Sequence, residues 1–334
     1  MTGNKEPHLR LVFSSDRTYL PGLAVSMASA LAFLPEKLTP RVTVIHEGLR
    51  DRETSAISSI ARRIHPLSEC TFVAIGQISK CLPAAPGLHP LAYARLLAPD
   101  LVAEDFLVYL DSDLLVLRDV SELPGLLGED DLAAAPRCGR LGDDCPWLDS
   151  ERMNGDDPYF CSGVLAVRRG AWKNEGISEE ALNLARREPE NCRNYDQTVL
   201  NYLLHRRVTV LDETWSWNHW QFAAAPTEQA LILHYITGGK PWRAPSLTGV
   251  SGLWLEAFEL LCRKDLPWVG VSMQLRSRVE DLAFQVGTHL PPEMLNRLGT
   301  SLAWRIRRWK DESTDCSRAR FRTCMGRLKE TAKL

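Results

Sequence analysis

The chain has 334 residues, 45% apolar and 25% charged, with a formal net charge of −2. That length and composition suit a globular α/β domain with an appendage, or two domains, and the near-zero charge excludes a chain held to nucleic acid by electrostatics. Nine scattered cysteines, without a Cys-x-x-Cys pair, argue against a disulfide framework or structural zinc and for reduced thiols in a cytosol. We expect no signal peptide after the polar start MTGNKEPHLR, and no run approaches the ~18 apolar residues of a spanning helix.

In chain order, LRLVFSS (9–15) predicts a strand, and PGLAVSMASALAFL (21–34) has helical spacing with Pro21 in the first turn. RVTVIHEG (41–48) predicts a second strand, ISSIARRI (57–64) a helix and CTFVAIG (70–76) a third strand. A helix carrying Tyr93 and Arg95 follows the loop KCLPAAPGLHP, and the strand FLVYL (106–110) leads into Asp111 and Asp113. This β/α alternation implies a mostly parallel sheet with helices on both faces, with ligands at the strands' carboxyl ends. Ser14, Asp16, Asp111 and Asp113 lie at such ends.

The pattern then becomes mixed. LAAAPR (132–137) and FCSGVLAVRR (160–169) read as strands around a long Gly- and Asp-rich loop (138–158). EEALNLARR and NYDQTVLNYLLHR read as helices, and VTVLDE and LILHYI as strands, the latter ending at His234. From about residue 244 the chain turns helical, Arg-rich and punctuated by Trp, beginning with the amphipathic LWLEAFELLCR (253–263).

Two carboxylates one residue apart repel each other. After an apolar strand, Asp111 and Asp113 call for a cation between them or for a solvated turn, and hard oxygens suit Mg or Mn. In LILHYITGGKPW, His234, a Gly-rich turn at 237–239 and Lys240 form a metal-and-phosphate grouping, and an imidazole tilts the choice toward Mn. The competing reading of His234 is a satisfied strand-end residue. Asn194 or Asp196 can cap the helix of NYDQTVLN, whereas Gln197 has no evident structural need there, so the Asp196–Gln197 pair is placed to hold sugar hydroxyls. Ser162 and Gly163 open an apolar strand, for which a plain turn-to-strand junction also accounts.

Together these segments resemble glycosyltransferase family 8, which includes bacterial lipopolysaccharide galactosyl- and glucosyltransferases and glycogenin. The resemblance rests on LVFSSDRTYLPGLAVSMAS, DFLVYLDSDLLVLRDVSEL, YFCSGVLAVRRGAW, YDQTVLN and HYITGGKPW, in order, from about residue 9 to 242. It implies an α/β fold of GT-A type, a mixed nucleotide-sugar-binding sheet flanked by helices, over 1–243, with a helical, basic region over 244–334. It implies a retaining hexosyltransferase that takes galactose or glucose from a UDP-sugar to a glycan acceptor, with Mn²⁺, or else Mg²⁺, as cofactor. Asp111, Asp113 and His234 would hold the metal, and Asp196 and Gln197 would face the transferred sugar as the catalytic pair. Ser14 and Asp16 would face the uridine, Arg95 the sugar or diphosphate, and Lys240 the diphosphate, with Ser112, Ser162 and Gly238 completing the donor site. Three positions depart from the family pattern: Cys161 for Asn, Thr237 for Gly and Thr18 for Asn.

The mechanism we expect is same-face attack by the acceptor hydroxyl, with the leaving phosphate as base; a covalent adduct on Asp196 is the alternative. A D-x-D phosphatase is a poorer reading, because Leu115 stands where that motif has Thr or Val, and a weak or inactive sugar-binding relative is motivated by Cys161. The tail SLAWRIRRWK (301–310) reads either as a packed helix or as a peripheral contact with the inner face of a membrane, which would suit a cytoplasmic enzyme with a lipid-linked acceptor.

Overall fold

Strand β1 (His8–Asp16) has Leu11, Val12 and Phe13 fully buried, the continuous apolar run of a strand covered on both faces. In the computed structural model, which describes residues 8–76, 82–83, 90–147, 153–218, 232–236, 240–243, 249–270, 326 and 329, this strand is the axis of the main sheet. It pairs in parallel with β2 (Thr39–Glu47) on one side and β4 (Phe106–Leu110) on the other; β2 in turn pairs in parallel with β3 (Glu69–Ala74). Beyond β4, the antiparallel strands β8 (Val164–Arg168), β6 (Ala133–Arg140) and β7 (Pro158–Phe160) complete the order β3-β2-β1-β4-β8-β6-β7. Strand β9 (Val208–Leu211) runs parallel to β6. The sheet is therefore mixed, as expected, and the chain leaves β1 and β4 toward opposite sides, which opens a crevice at their carboxyl ends.

A smaller sheet carries the second half of the site. Strand β5 (Leu114–Val116) follows the aspartates directly and pairs antiparallel with β11 (Ile232–His234), which pairs in parallel with β10 (Trp217–Asn218). The register His234↔Leu114 fixes the imidazole beside Asp113.

Helix α1 (Leu20–Ala32) is apolar all round and buried from Leu20 almost throughout, as befits a helix inside a core. Each of Leu23, Val25, Met27 and Leu31 contributes about 1.5–3 kcal/mol by leaving water. Its small residues have a separate task. Ser26 Oγ donates to the Asp111 carbonyl at 2.8 Å, and Ser29 Oγ accepts from the Val116 amide at 3.0 Å. One turn earlier, a Cβ on Gly22 would lie 2.2 Å from the Ser112 carbonyl oxygen and 2.6 Å from the Trp242 ring. Gly22, Ser26 and Ser29 thus form one stripe on which the aspartate turn rests. We expect Gly22→Ala to cost roughly 1–3 kcal/mol by overpacking backbone that cannot retreat, and to lower UDP affinity, read by thermal melting and calorimetry.

Helix α2 (Asp51–Ile64) starts where Glu53 accepts from the Arg50 amide at 2.9 Å, and ends with Arg62 and Arg63 facing the negative end of its dipole. Helix α5 (Gly249–Leu261), far downstream in the chain, buries Leu253, Trp254, Ala257, Phe258 and Leu261 in the same core as α1. Trp254 stands 5.3 Å from the Trp242 ring, and Asp265 pairs with Arg63 at 2.8 Å. The two longest α-helices described between α2 and α5 are α3 (Ile177–Arg187) and α4 (Asp196–Leu203).

The helix carrying Tyr93 and Arg95 is present as a 3-10 helix over Pro90–Leu97. Two expectations change. The run FCSGVLAVRR is not one strand: it breaks into β7 and β8 at 161–163, where the chain turns beside the aspartates. Neither Asn194 nor Asp196 caps α4; Tyr195 occupies the cap position with φ +55° and no side-chain cap bond. The 243/244 boundary and the tail motif at 301–310 lie outside the described residues, although Lys329 meets Glu256 at 3.0 Å.

Candidate active site

The crevice at the ends of β1 and β4 opens into a cavity of about 610 Å³. Ser14, Asp16, Arg95, Asp111, Ser112, Asp113, Ser162, Asp196, Gln197, His234 and Lys240 all line it. Gly238 lies outside the described residues. Residues separated by more than two hundred positions are therefore gathered by strand ends, the 3-10 helix of Arg95, the turn of Lys240 and the start of α4.

At one end, Asp111, Asp113 and His234 each offer a ligand atom within 4.8 Å of the others. His234 Nε2 stands 3.2 Å from Asp113 Oδ1 and 3.7 Å from Asp111 Oδ2. A Cβ on Gly163 would sit 2.5 Å from His234 Cε1 and 2.6 Å from Asp111 Oδ2, so only glycine leaves this space open. Two hard carboxylates and one imidazole converging on a space free of side chain fit a divalent cation of the Mn or Mg kind.

Around the trio are two fixed cations. Lys240 Nζ donates to Asp113 Oδ2 at 2.6 Å and also to the Tyr235 carbonyl. Arg95 is the hub of the other side: Nη2 pairs with Asp111 at 2.9 Å, Nε with Asp196 at 3.0 Å, and Nη1 donates to Ser162 Oγ at 2.8 Å. Burial raises the Asp111 carboxyl, with Arg95 opposing and Asp113 adding repulsion. Asp113 is buried too, but Lys240 and His234 hold it well below the usual range. Burial alone would lower the His234 imidazole; the Asp113 carboxylate outweighs it and raises the ring to about 10. A proton on this ring and a cation between the carboxylates compete for the same charge.

At the other end, Asp196 accepts from Ser162 Oγ at 2.9 Å and Gln197 Oε1 accepts from the Ser162 amide at 3.1 Å. Gln197 thus has the structural partner that the sequence did not reveal. Burial pushes the Asp196 carboxyl up to about 6, with Arg95 opposing. The folded chain therefore binds more protons than the unfolded one between about pH 4 and 6, and this carboxylate costs stability as pH rises through that window. We expect Asp196→Asn to melt higher than the parent at pH 7.5, by up to about 3 kcal/mol with the pairing to Arg95 already counted, and to lose that advantage at pH 4.

Some expected contacts are already engaged within the chain. Asp16 Oδ1 accepts from the Thr18 amide at 2.7 Å, Thr18 Oγ1 at 2.8 Å and the Tyr19 amide at 2.9 Å, closing the loop before α1. Ser14 Oγ meets the buried Tyr109 hydroxyl at 2.6 Å, and Tyr109 donates to Asp111 at 3.1 Å. Ser112 Oγ donates to the Ser14 carbonyl at 2.6 Å and ties the two strand ends together. Sequence reasoning missed Tyr19, Tyr195 and Arg243, which also line the cavity, with the Arg243 guanidinium 5.2 Å from the Tyr19 ring. Tyr19, in the loop just before α1, and Arg243, after the Lys240 turn, carry no chemical signal in the sequence on their own.

The comparisons with known proteins agree with this geometry. The profile of glycosyl transferase family 8 matches residues 10–245. The chain belongs to glycosyltransferase family 8. Among its relatives, glycosyltransferase GlyE of Streptococcus pneumoniae is 33% identical over 184 residues, covering 51% of this chain and 42% of GlyE. The chain thus matches less than half the length of that relative. The lipopolysaccharide 1,3-galactosyltransferase of Salmonella typhimurium is 24% identical, covering 77% of this chain and 78% of that protein. Of solved structures, the bifunctional glycosyltransferase WbbM superposes with a TM-score of 0.67 at 18% identity, over 83% of this chain and 53% of WbbM. Galactosyltransferase LgtC, solved with donor and acceptor sugar analogues, gives 0.61 at 21% identity, over 76% and 96%. The fold of this family 8 chain is that of GT-A glycosyltransferases. Family membership sets the phosphatase reading aside. Among the described residues no helix is long and apolar enough to cross a membrane.

Proposed function

We propose that this family 8 chain is a metal-dependent, retaining hexosyltransferase that moves galactose or glucose from a UDP-sugar to a glycan acceptor, a cell-surface polysaccharide or lipopolysaccharide. The observation that carries the reading is the single cavity with Asp111, Asp113, His234 and Lys240 at one end and Asp196 with Gln197 at the other. Asp111, Asp113 and His234 hold Mn²⁺ or Mg²⁺. What a bound divalent cation supplies here is neutralisation of charge on a departing diphosphate. Lys240 adds a fixed positive charge on the same side, and its short bond to Asp113 keeps it aimed at the cluster. Ser14 and Asp16 shape the nucleotide end and Ser112 the diphosphate end, where the family pattern also assigns Gly238 a role.

Arg95 does two things at once. It holds Asp196 ionised against burial, and through Ser162 it fixes the backbone that Gln197 also grips. Asp196 and Gln197 are thereby rigid where the sugar would lie, Asp196 to accept from its hydroxyls and Gln197 to offer its carbonyl to an electron-poor anomeric centre. The acceptor hydroxyl attacks from the face that the phosphate leaves, and the phosphate takes its proton. The names of the Salmonella typhimurium relative and of a lipopolysaccharide 1,2-glucosyltransferase of Escherichia coli support a hexose donor and a lipopolysaccharide acceptor. Residues 1–243 then form the catalytic domain, and 244–334 a basic region that brings a cytoplasmic enzyme to a lipid-linked acceptor on the inner membrane face. Vesicle co-sedimentation, full chain against a chain ending at Thr300, checks that part: salt-sensitive binding to anionic lipid by the full chain alone is expected.

The test of the function is a donor panel read by UDP release with Mn²⁺, followed by a lipooligosaccharide acceptor screen. Turnover of UDP-galactose or UDP-glucose that EDTA stops is expected. Phosphoester hydrolysis, or UDP-sugar binding without turnover on any acceptor, overturns the reading.

A further inference from the structure

His234 presents Nε2 to the two aspartates, and its other nitrogen has a built partner. Nδ1 lies 3.0 Å from Ser216 Oγ and 3.6 Å from Cys161 Sγ, and Ser216 Oγ in turn donates to Cys161 Sγ at 3.5 Å. Ser216, Cys161 and His234 are all at least nine-tenths buried. Their placement is set by backbone. Asp212 caps the turn Glu213–Ser216 through the Thr214 amide at 2.9 Å, and the register Trp217↔Leu233 and Asn218↔His234 brings Ser216 alongside the ring. Cys161 is fixed by its amide donating to the Pro136 carbonyl at 2.8 Å.

We propose that Ser216 is a positioning residue that selects the tautomer of His234 on which metal binding depends, with Cys161 orienting the serine. The proposal rests on the reading of Asp111, Asp113 and His234 as metal ligands. A Ser216 hydroxyl that donates to the Cys161 sulfur at 3.5 Å turns a lone pair to the ring, 3.0 Å away, and accepts from Nδ1–H. A neutral imidazole protonated at Nδ1 carries its lone pair on Nε2, facing the carboxylates. Without that acceptor, a ring that carries only one proton is better protonated on Nε2, where Asp113 Oδ1 at 3.2 Å accepts it. That tautomer occupies the ligand position with hydrogen. A thiol is a weak acceptor and does not replace the hydroxyl. Cys161 therefore takes a part behind the metal ligand, in place of the amide that the family pattern has there.

The test is Mn²⁺ uptake in the presence of saturating UDP, followed by loss of the free-ion EPR signal, on the parent chain, Ser216→Ala and Ser216→Thr. Each variant's thermal melt without metal controls for folding. Ser216→Ala should weaken Mn²⁺ binding about 10–100-fold, the range for loss of a metal ligand's supporting bond, and Ser216→Thr, which keeps a hydroxyl on Cβ, should bind within about threefold of the parent. An independent readout on the parent alone, nitrogen-15 NMR of labelled histidine with Mg²⁺ and UDP, should show the Nδ1–H form for His234. It decides the matter if Ser216→Ala fails to fold. Equal Mn²⁺ binding by parent and Ser216→Ala, or an Nε2–H form in the loaded parent, overturns the positioning role while leaving the metal site standing. Absence of Mn²⁺ uptake by the parent removes the metal reading and this proposal with it.

Discussion

Asp111→Asn and Asp113→Asn should each lower sugar transfer by about 10³-fold or more, since several kcal/mol of charge stabilisation in the transition state depend on both carboxylates. Their effects on the fold should differ. Asp111 is raised by burial, so its charge costs stability, and that cost grows as pH rises above the ordinary carboxylate range. An asparagine there should be neutral or stabilising at pH 7.5 without metal. Asp113 is held low by Lys240 and His234, so its ionised form contributes stability above the ordinary range, and that contribution is lost as pH falls. Asp113→Asn leaves the Lys240 ammonium, only 7% exposed, without its carboxylate, at a cost of about 3 kcal/mol. Thermal melts of the two variants beside UDP-release rates check this: equal melting shifts would mean that the pairing does not hold Asp113 as described, and near-parental turnover by either would remove the metal role.

Gly163→Ala should be nearly as damaging to activity, by a different route. No left-handed backbone angle is needed at this residue; what glycine supplies is room. The methyl would sit 2.5 Å from His234 Cε1 and 2.6 Å from Asp111 Oδ2, between two of the three ligands. Either the imidazole or the carboxylate must swing aside, and the Asp111 amide, bonded to the Gly163 carbonyl at 2.8 Å, ties both strands to the displacement. We expect Mn²⁺ affinity and transfer to fall together by about 10²-fold, a scale typical of a misplaced catalytic geometry, with a fold loss of only about 1–3 kcal/mol. Parental Mn²⁺ affinity in this variant would show that the space beside Gly163 is not part of the ligand site.

Much of this was legible in the sequence because strand and helix periods announce themselves. The runs LVF, VTVI and FLVYL locate the parallel half of the sheet, and the carboxyl ends of those strands locate Ser14, Asp16 and Asp111. His234 and Lys240 were legible as a pair because a Gly-rich turn beside a strand end has few other uses. What was not legible depends on tertiary neighbours. Gly163 looks like any turn residue until His234, 71 positions later, packs against it. Gly22, Ser26 and Ser29 look like ordinary small residues of a buried helix, although each meets the turn at 111–116 or a residue packed on it. Gln197 reads as a free polar side chain because its acceptor role toward the Ser162 amide crosses from α4 to the β7–β8 turn. The break at 161–163 was legible only as an alternative, the turn-to-strand junction at Ser162 and Gly163, because apolar residues on both sides keep the strand pattern running through it.

The central claim is that Asp111, Asp113 and His234 close on one divalent cation in the cavity that also holds Asp196 and Gln197. The most direct measurement is anomalous diffraction at the manganese edge from crystals of the parent chain grown with MnCl₂ and UDP. The account predicts one strong peak within coordination distance of an oxygen of each aspartate and of His234 Nε2, with UDP density running from it past Lys240 toward Asp16. A peak elsewhere, or UDP bound in the cavity with no manganese beside these three side chains, would contradict it.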